Sequence, residues 1–176
     1  MSGRPQLVAL PGYADRRDDV QFCGHCGRAA VIDIAAPASR VCGRCEMGLL
    51  IGAPSELAPA PSDPFLLVDS TLSVCGLSAL AEELLGVVET KAVNRHINEL
   101  LVPADAEASG PGDLVNLLVH AARGDGEVHD VVLRPTDEYG IRYWARIGPC
   151  GPPRAALLVL GDGRRQPPHQ RAARPG

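Results

Sequence analysis

Hydrophobic residues between positions 65 and 162 recur with the spacing of strands and helices. In the first half of this stretch, apolar runs on either side of a turn at Asp69 predict two strands, and stripes of helical period predict three helices. The first helix has Ser78 as a candidate N-cap and stops at Gly86. The predicted bounds are 65–69 and 72–75 for the strands, and 78–86, 96–101 and 113–124 for the helices.

Three further strands are predicted in the second half, at 127–134, 141–147 and 155–160, with turn-forming residues between them. The order of elements is then two strands, three helices and three strands. Because consecutive strands joined by short turns pair antiparallel, the pattern predicts an α+β fold. We expect a five-stranded antiparallel sheet with flanking helices.

Composition divides the remainder of the chain into four pieces around this predicted domain of residues 65–162. Residues 1–20 are polar and interrupted by prolines, which predicts a flexible arm, and residues 21–50 carry four cysteines. Residues 51–64 are rich in proline, which is typical of an extended, semi-rigid linker. Residues 163–176 form a basic tail that we expect to be disordered.

The chain of 176 residues is 45% hydrophobic but only 3% aromatic, so its core must be largely aliphatic. No apolar run approaches the roughly 20 residues that cross a bilayer. The N-terminal residues also lack the apolar core of a signal peptide. We therefore expect a cytoplasmic protein that does not associate with membranes.

Charge is distributed unevenly along the chain, whose formal net charge is −4. Residues 63–162 hold fifteen acidic and seven basic side chains, a net charge of −8, whereas residues 163–176 hold four arginines and no acid. An acidic domain repels a phosphate backbone. This distribution makes nucleic acid a less favoured partner than protein.

Four cysteines form two Cys-x-x-Cys pairs, Cys23 with Cys26 and Cys42 with Cys45, separated by fifteen residues. Two residues between cysteines let a tight turn direct both sulfurs at one ion, and neighbouring glycines relieve the turn. In a cytoplasmic protein this spacing favours one structural zinc ion over a redox dithiol or unrelated cysteines. His25 is not expected to be a ligand, because four sulfurs already complete a tetrahedron.

The pattern resembles zinc-ribbon modules over about thirty residues. Arg28, Arg40 and Arg44 stand against Asp33, and four thiolates around a zinc ion bring the module close to neutral. Phe22 is the one aromatic residue nearby, so stacking platforms for bases are missing. A ribbon that faces a protein partner is therefore favoured over one that binds nucleic acid.

The larger domain carries a resemblance to the PAS family. Its opening resembles the strand, turn and helix that begin such domains, and reads DPFLLVDSTLSVCGLSALAEELLG. The run NRHINELLVPADAE resembles the family's next helix and loop, and GDGEVHDVVLRPTDEYGIRYWARIGP with RAALLVLGD resembles its closing strands. The resemblance covers about 100 residues, and it implies a module that senses a small ligand or associates with itself or a partner.

The resemblance also implies where a ligand pocket would lie. Ile97 stands where photoactive flavin-binding members have a reactive cysteine, and His120 shares a polar helix face, so neither flavin nor haem is expected. We expect a mostly aliphatic lining, and a filled core in preference to a flavin site. The implied lining residues are Leu67, Leu84, Ile97, Leu118, Val131, Tyr143 and Leu158.

Trp144 is the single tryptophan of the chain, and its strand alternates between two faces. If Tyr143 and its alternate neighbours face the core, Arg142, Trp144 and Arg146 lie on the outer face. Tryptophan and arginine are enriched at binding hot spots, which favours a homodimer or partner surface. The alternative is that the N-terminal arm or the ribbon covers Trp144.

Neither a phosphate-cradling glycine loop nor a recognisable nucleophile setting occurs, so we expect no enzymatic activity. Cys75 is expected to be a buried small hydrophobe and Cys150 a loop thiol. The favoured function is a cytoplasmic signalling or regulatory protein in which a PAS-like domain senses a ligand or binds a partner. The alternatives are a zinc-ribbon transcription regulator that binds nucleic acid, and a thiol-based redox or zinc sensor.

Overall fold

A computed structural model of the chain describes residues 19–30, 40–104 and 111–161. The predicted basic tail and almost all of the predicted N-terminal arm lie outside the described residues. Within them the chain forms two antiparallel sheets and a small number of helices. The strands are β1 Asp19–Cys23, β2 Leu50–Pro54, β3 Phe65–Val68, β4 Val74–Leu77, β5 Leu101–Pro103, β6 His129–Pro135, β7 Tyr143–Cys150 and β8 Ala155–Gly161. The helices are α1 Ala79–Leu85, α2 Glu89–Ala92 and α3 Pro111–Ala122.

The main sheet has the strand order β4-β3-β8-β7-β6-β5, and every neighbouring pair is antiparallel. Strands β3, β4, β6, β7 and β8 correspond to the five that the sequence predicts. This antiparallel sheet with few helices agrees with the predicted α+β class. The second sheet contains only β1 and β2.

The sheet has six strands where five were predicted. Strand β5 pairs with the edge of β6, with Val102 opposite Arg134. The helix predicted over 96–101 is reduced to a single 3₁₀ turn at Ile97–Glu99, because Leu101–Pro103 extends along that edge instead. Proline is tolerated in such a strand since its missing amide costs no internal ladder bond at an edge.

Helix α1 begins and ends as its sequence predicts. The Ser78 hydroxyl accepts a hydrogen bond from the Ala81 amide at 3.2 Å and another from the Phe65 amide at 3.0 Å. Gly86 closes the helix in the left-handed conformation, with φ of 63°. One buried serine thus caps the helix and fixes it to β3.

The inner face of the main sheet carries the larger hydrophobic core. Helix α3 packs Leu114, Leu118 and Ala121 against it, and Ile147 and Leu158 point inward from β7 and β8. Nearly all of these side chains are aliphatic, as the composition predicts. This cluster is the interior of the predicted sensor domain.

The outer face of the main sheet is covered in part by the cysteine-bearing sheet, which is formed by β1 and β2. Phe22 of β1 and Ile51 of β2 belong to a second core cluster together with Phe65, Leu67 and Leu157 of the main sheet. Phe22 and Phe65 meet edge to face, with ring centroids 5.6 Å apart. The two sheets therefore share a hydrophobic core.

Residues 51–64 differ from the extended linker predicted for them. Their first four residues lie in β2, and Leu57 is fully buried in the shared core. Leu57 packs on Gly148: a Cβ added at Gly148 would stand 2.8 Å from Cδ2 of Leu57. This proline-rich segment packs on the sheet because Leu57, an apolar residue between the prolines, is buried there.

We predict that Leu57→Ala lowers the free energy of unfolding by about 2–5 kcal/mol, the usual cost of truncating a fully buried leucine. Leu84→Ala is the matched control, since Leu84 is 37% exposed and its truncation should cost well under half as much. Urea denaturation at fixed zinc concentration measures both. Equal losses would contradict the packing of residues 51–64 on the sheet.

Candidate metal centre

The first cysteine pair lies in a tight loop at the end of β1. The Gly27 amide donates to the Cys23 carbonyl at 3.0 Å, and the Cys23 amide donates to the Arg28 carbonyl at 2.9 Å. Gly27 has φ of 67°, and an added Cβ would lie 3.2 Å from a ring carbon of Phe65. The glycine therefore permits both the turn and its close approach to the main sheet.

The second pair forms a loop of the same kind before β2. The Glu46 amide donates to the Cys42 carbonyl at 2.9 Å, four residues apart as in the first loop. The Cys42 amide donates to the Gly48 carbonyl at 2.8 Å, and the Gly24 amide donates to the Leu49 carbonyl at 2.8 Å. The last of these bonds fastens the two loops to each other.

The four cysteine sulfurs converge on one point. Cys23 Sγ lies 3.5 Å from Cys45 Sγ, and Cys26 Sγ lies 4.0 Å from Cys42 Sγ. All four sulfurs lie within 4.8 Å of one another. A tetrahedral ion with metal–sulfur bonds of about 2.3 Å requires sulfurs about 3.8 Å apart. These distances fit a metal ion, and they are far longer than the roughly 2.05 Å of a disulfide bond.

Backbone amides surround the sulfurs. The His25 and Cys26 amides donate to Cys23 Sγ at 3.4 Å each. Cys42 accepts from the amides of Cys45 and Arg44, and Cys45 accepts from those of Gly48 and Met47. Such donors disperse the negative charge of thiolates and orient them toward a metal.

The thiol pKa values are shifted in opposite directions. Burial raises the pKa of Cys23 to about 12, and the hydrogen bonds from the His25 and Cys26 amides offset only part of that rise. Amide hydrogen bonds lower the pKa of Cys42, and those from Gly48 and Met47 lower the pKa of Cys45 to about 6. Cys23 is buried and thus needs a nearby cation to become a thiolate. Cys45 is partly exposed and favours the thiolate without one.

His25 lies in the first loop but does not belong to the set of side chains that could hold the metal, which among the described residues is the four cysteines. Its carbonyl accepts a hydrogen bond from the Ala79 amide at the start of α1, at 3.4 Å. His25 therefore connects the metal loop to the main domain through its backbone.

Gly48 is a residue of the site that the sequence interpretation missed. An added Cβ would stand 2.3 Å from Cys23 Sγ and 2.8 Å from the Cβ of His25. The signal available in the sequence was the glycine three residues after Cys45. The role of Gly48 depends on the first loop packing against it, and the sequence around Gly48 does not show that contact.

Most of the predicted pocket residues lie in the inner core, but two do not. Ile97, Leu118, Tyr143 and Leu158 are buried in the inner cluster, and Val131 packs against it. Leu67 faces outward into the shared core, because β3 is buried on both faces and hides the alternation that would have placed it. Leu84 is 37% exposed on α1, since Ala81 takes the buried position of that helix. The ligand pocket itself stays a prediction.

Two of the three predicted interface residues, Trp144 and Arg146, lie on the outer face of β7. Tyr143, Ala145 and Ile147 belong to the inner core, as the alternation predicts, whereas Ile141, predicted on the same face, precedes the strand and is 39% exposed. Trp144 is partly exposed and lies opposite Gly161 of β8, which has no side chain to cover the indole. Arg142 is exposed and directly precedes the strand.

Arg146 is occupied within the chain. Its guanidinium donates to the Glu56 carbonyl and lies 3.9 Å from the Asp63 carboxylate. The segment 51–64 therefore reaches the middle of β7. A partner surface built on Trp144 would border this segment.

The two remaining cysteines have the reverse of their predicted environments. Cys75 is exposed on β4, whereas Cys150 is 7% exposed at the end of β7, under the shared core. Burial raises the pKa of Cys150 to about 12. The prediction was wrong because β7 continues through the residues taken as a turn, and the cysteine-bearing sheet covers its end.

No protein-family model and no curated protein matches the chain. Among solved structures it is similar to a domain of the sensory box sensor histidine kinase/response regulator from Geobacter sulfurreducens. That domain is 8% identical with a TM-score of 0.42, and the match covers 57% of this chain and 82% of that chain.

The chain is also similar to the E. coli DhaR(N)–DhaL complex, with 16% identity and a TM-score of 0.36. That match covers 56% of this chain but only 31% of the other. TM-scores below 0.5 support no assignment of function. Within the described residues, no helix has the length and apolar character that crossing a membrane requires.

Proposed function

We propose that this chain is a non-enzymatic cytoplasmic regulatory protein, in which a PAS-like domain senses a small ligand or binds a partner and a structural zinc module mediates protein contacts. The observation that carries the proposal is the convergence of four cysteine sulfurs within 4.8 Å of one another on a module that shares a core with the main sheet.

Zinc suits this donor set better than calcium or magnesium. Four thiolates are soft ligands and favour tetrahedral zinc, while calcium and magnesium require oxygen. The four sulfurs leave no position for water or substrate, which is the property of a structural site. The ion would supply folding free energy that β1, β2 and two short loops cannot obtain from their own small core.

The shared core supports a regulatory arrangement. Gly52 and Gly151 exchange two backbone hydrogen bonds, at 2.8 and 2.9 Å, between β2 and the turn after β7. Phe22, next to the ligand Cys23, packs on Phe65 of the main sheet. A change in the metal loops would therefore be transmitted to the sheet through rigid contacts.

The exposed part of the outer face supports association with a partner or a second copy. We predict that Trp144→Ala weakens self-association or partner binding at least tenfold, because a partly exposed tryptophan on a sheet face is a typical binding anchor. The free energy of unfolding of the monomer should change little. Sedimentation velocity over a concentration series measures the first quantity, and urea denaturation the second. A variant that loses stability with unaltered association would show Trp144 to be a packing residue.

A thiol-based redox or zinc sensor is the second candidate. Cys26 and Cys45 are partly exposed, so an oxidant can reach two of the four sulfurs. Stoichiometric peroxide that releases zinc within minutes would favour this function. Zinc that is retained under the same conditions would favour the structural role.

A regulator that binds nucleic acid is the third candidate, because Arg28, Arg40 and Arg44 are all exposed near the metal loops. Salt-dependent binding of duplex DNA, lost on replacing these arginines, would favour it. The acidic main domain makes us prefer the protein partner.

The proposal is tested by the zinc content of protein purified without chelator. We expect one zinc per chain in the wild type and in Cys75→Ser, whose cysteine is exposed on β4. Cys42→Ser should contain none. Zinc retained by Cys42→Ser, or absent from the wild type, would overturn the proposal.

A further inference from the structure

The second metal loop displays three large apolar side chains to solvent. Val41 is 44% exposed, Met47 is 74% exposed and Leu49 is 51% exposed. Seven large apolar side chains are exposed in the described part of the chain, and these three fall within nine residues of sequence. Isolated exposed apolar residues are ordinary, but a cluster of them on one loop indicates a contact surface.

Val41 and Leu49 are held side by side. They are partners in an antiparallel bridge. The flanking hydrogen bonds run from the Cys42 amide to the Gly48 carbonyl at 2.8 Å and from the Leu50 amide to the Arg40 carbonyl at 2.7 Å. This is a pair without hydrogen bonds between its own members, in which the two side chains approach most closely and share a face.

Met47 is fixed through its backbone. Its amide donates to Cys45 Sγ, and the preceding Glu46 amide donates to the Cys42 carbonyl at 2.9 Å. The metal loop therefore presents Met47 on an ordered backbone, which reduces the entropy lost on binding. Methionine is also enriched in protein interfaces, because its flexible thioether adapts to the partner.

Arginines surround these apolar side chains. Arg40 and Arg44 are exposed within the same loop, against the single exposed acid Glu46. Residues 63–162 have fifteen acidic and seven basic side chains, a net charge of −8. The zinc thiolates bring the module as a whole close to neutral, so the two exposed guanidinium groups act locally, by pairing with acidic side chains of a partner. The acidic main domain would repel the same side chains, which directs such a partner to this loop.

We propose that Val41, Met47 and Leu49, flanked by Arg40 and Arg44, form a docking surface for a protein segment that combines apolar side chains with acidic ones. This inference rests on the proposed zinc site, because the metal holds the loop in shape.

Twelve-residue random peptides displayed on phage are the probe, selected on the zinc-loaded full chain. We expect the enriched peptides to pair large apolar residues with aspartate or glutamate. Met47→Ser and Arg44→Glu should each weaken binding of a synthetic copy at least about tenfold. Val88→Ser is the matched control, because Val88 is 50% exposed on the main domain, and it should bind as the wild type does.

Several results would overturn the inference. These are no enrichment, enriched peptides without acidic residues, binding unaffected by Met47→Ser, or competition by nucleic acid or by a second copy of the chain. A Met47→Ser protein that melts at a lower temperature would show that the chain's own residues cover the loop. Zinc is measured in every sample, so a chain without zinc contradicts the proposed function and is distinguished from failure of the docking surface alone.

Discussion

Removal of the metal is expected to expose the thiol of Cys150 as well as the four thiols of the site. Cys150 is 7% exposed and belongs to the core that the two sheets share. Structural zinc supplies roughly 10–16 kcal/mol of folding free energy in small modules. Without it β1 and β2 should leave the sheet and uncover the end of β7.

Alkylation followed by peptide mass spectrometry measures this effect. In zinc-loaded protein the reaction of Cys150 should be slow, because the thiol is buried and its pKa is raised to about 12. After chelation its rate should rise roughly 100-fold or more, which corresponds to a loss of at least about 2.7 kcal/mol of local stability. Cys75 is the internal control: the residue is exposed on β4, but desolvation of its thiol raises the pKa to about 11, so its own reaction is slow and should change little on chelation.

The same loss should weaken the main domain. Metal removal or Cys42→Ser would expose Phe65, Leu67 and Leu157, which the shared core buries. At about 1.5–3 kcal/mol for each large apolar side chain, the loss amounts to several kcal/mol. Cys150 that stays protected after chelation, together with an unaltered unfolding transition of the sheet, would show that the module docks without metal.

Gly48→Ala is expected to impair metal binding although it removes no ligand. The added methyl group would stand 2.3 Å from Cys23 Sγ and 2.8 Å from the Cβ of His25, so the two loops must separate. Strain of this kind costs about 1–3 kcal/mol or more, which corresponds to a loss of roughly 5- to 150-fold in zinc affinity.

Gly43→Ala is the matched control, because it lies in the same loop and an added Cβ there would meet nothing within 4 Å. Competition with a chromophoric chelator measures both affinities. If the two variants bind zinc equally well, the close approach of the two loops at Gly48 is wrong.

The sequence contained enough information for the features that depend on local pattern. The cysteine spacing identified the residues of the candidate metal centre, and Ser78 and Gly86 marked the ends of α1. The alternation around Trp144 placed its outer face because β7 has polar residues on one side. In each case the determining signal is a short local motif, although the two cysteine pairs are themselves separated by fifteen residues.

Features that depend on distant packing could not be obtained in this way. Leu67 was assigned to the inner face because nothing in β3 reveals that residues from β1 and β2 cover its other side. Leu57 looked like part of a linker, since its partner Gly148 lies about ninety residues away along the chain. The predicted helix over 96–101 is shortened because the residues from Leu101 onward pair with β6 as the edge strand β5.

Zinc X-ray absorption spectroscopy of the purified full chain reports the kind, number and distance of the metal's ligands. We expect four sulfur ligands at about 2.3 Å and no nitrogen or oxygen in the first coordination sphere. A spectrum with a histidine nitrogen or a water oxygen bound to zinc would contradict the structural four-cysteine site, as would protein that holds no zinc.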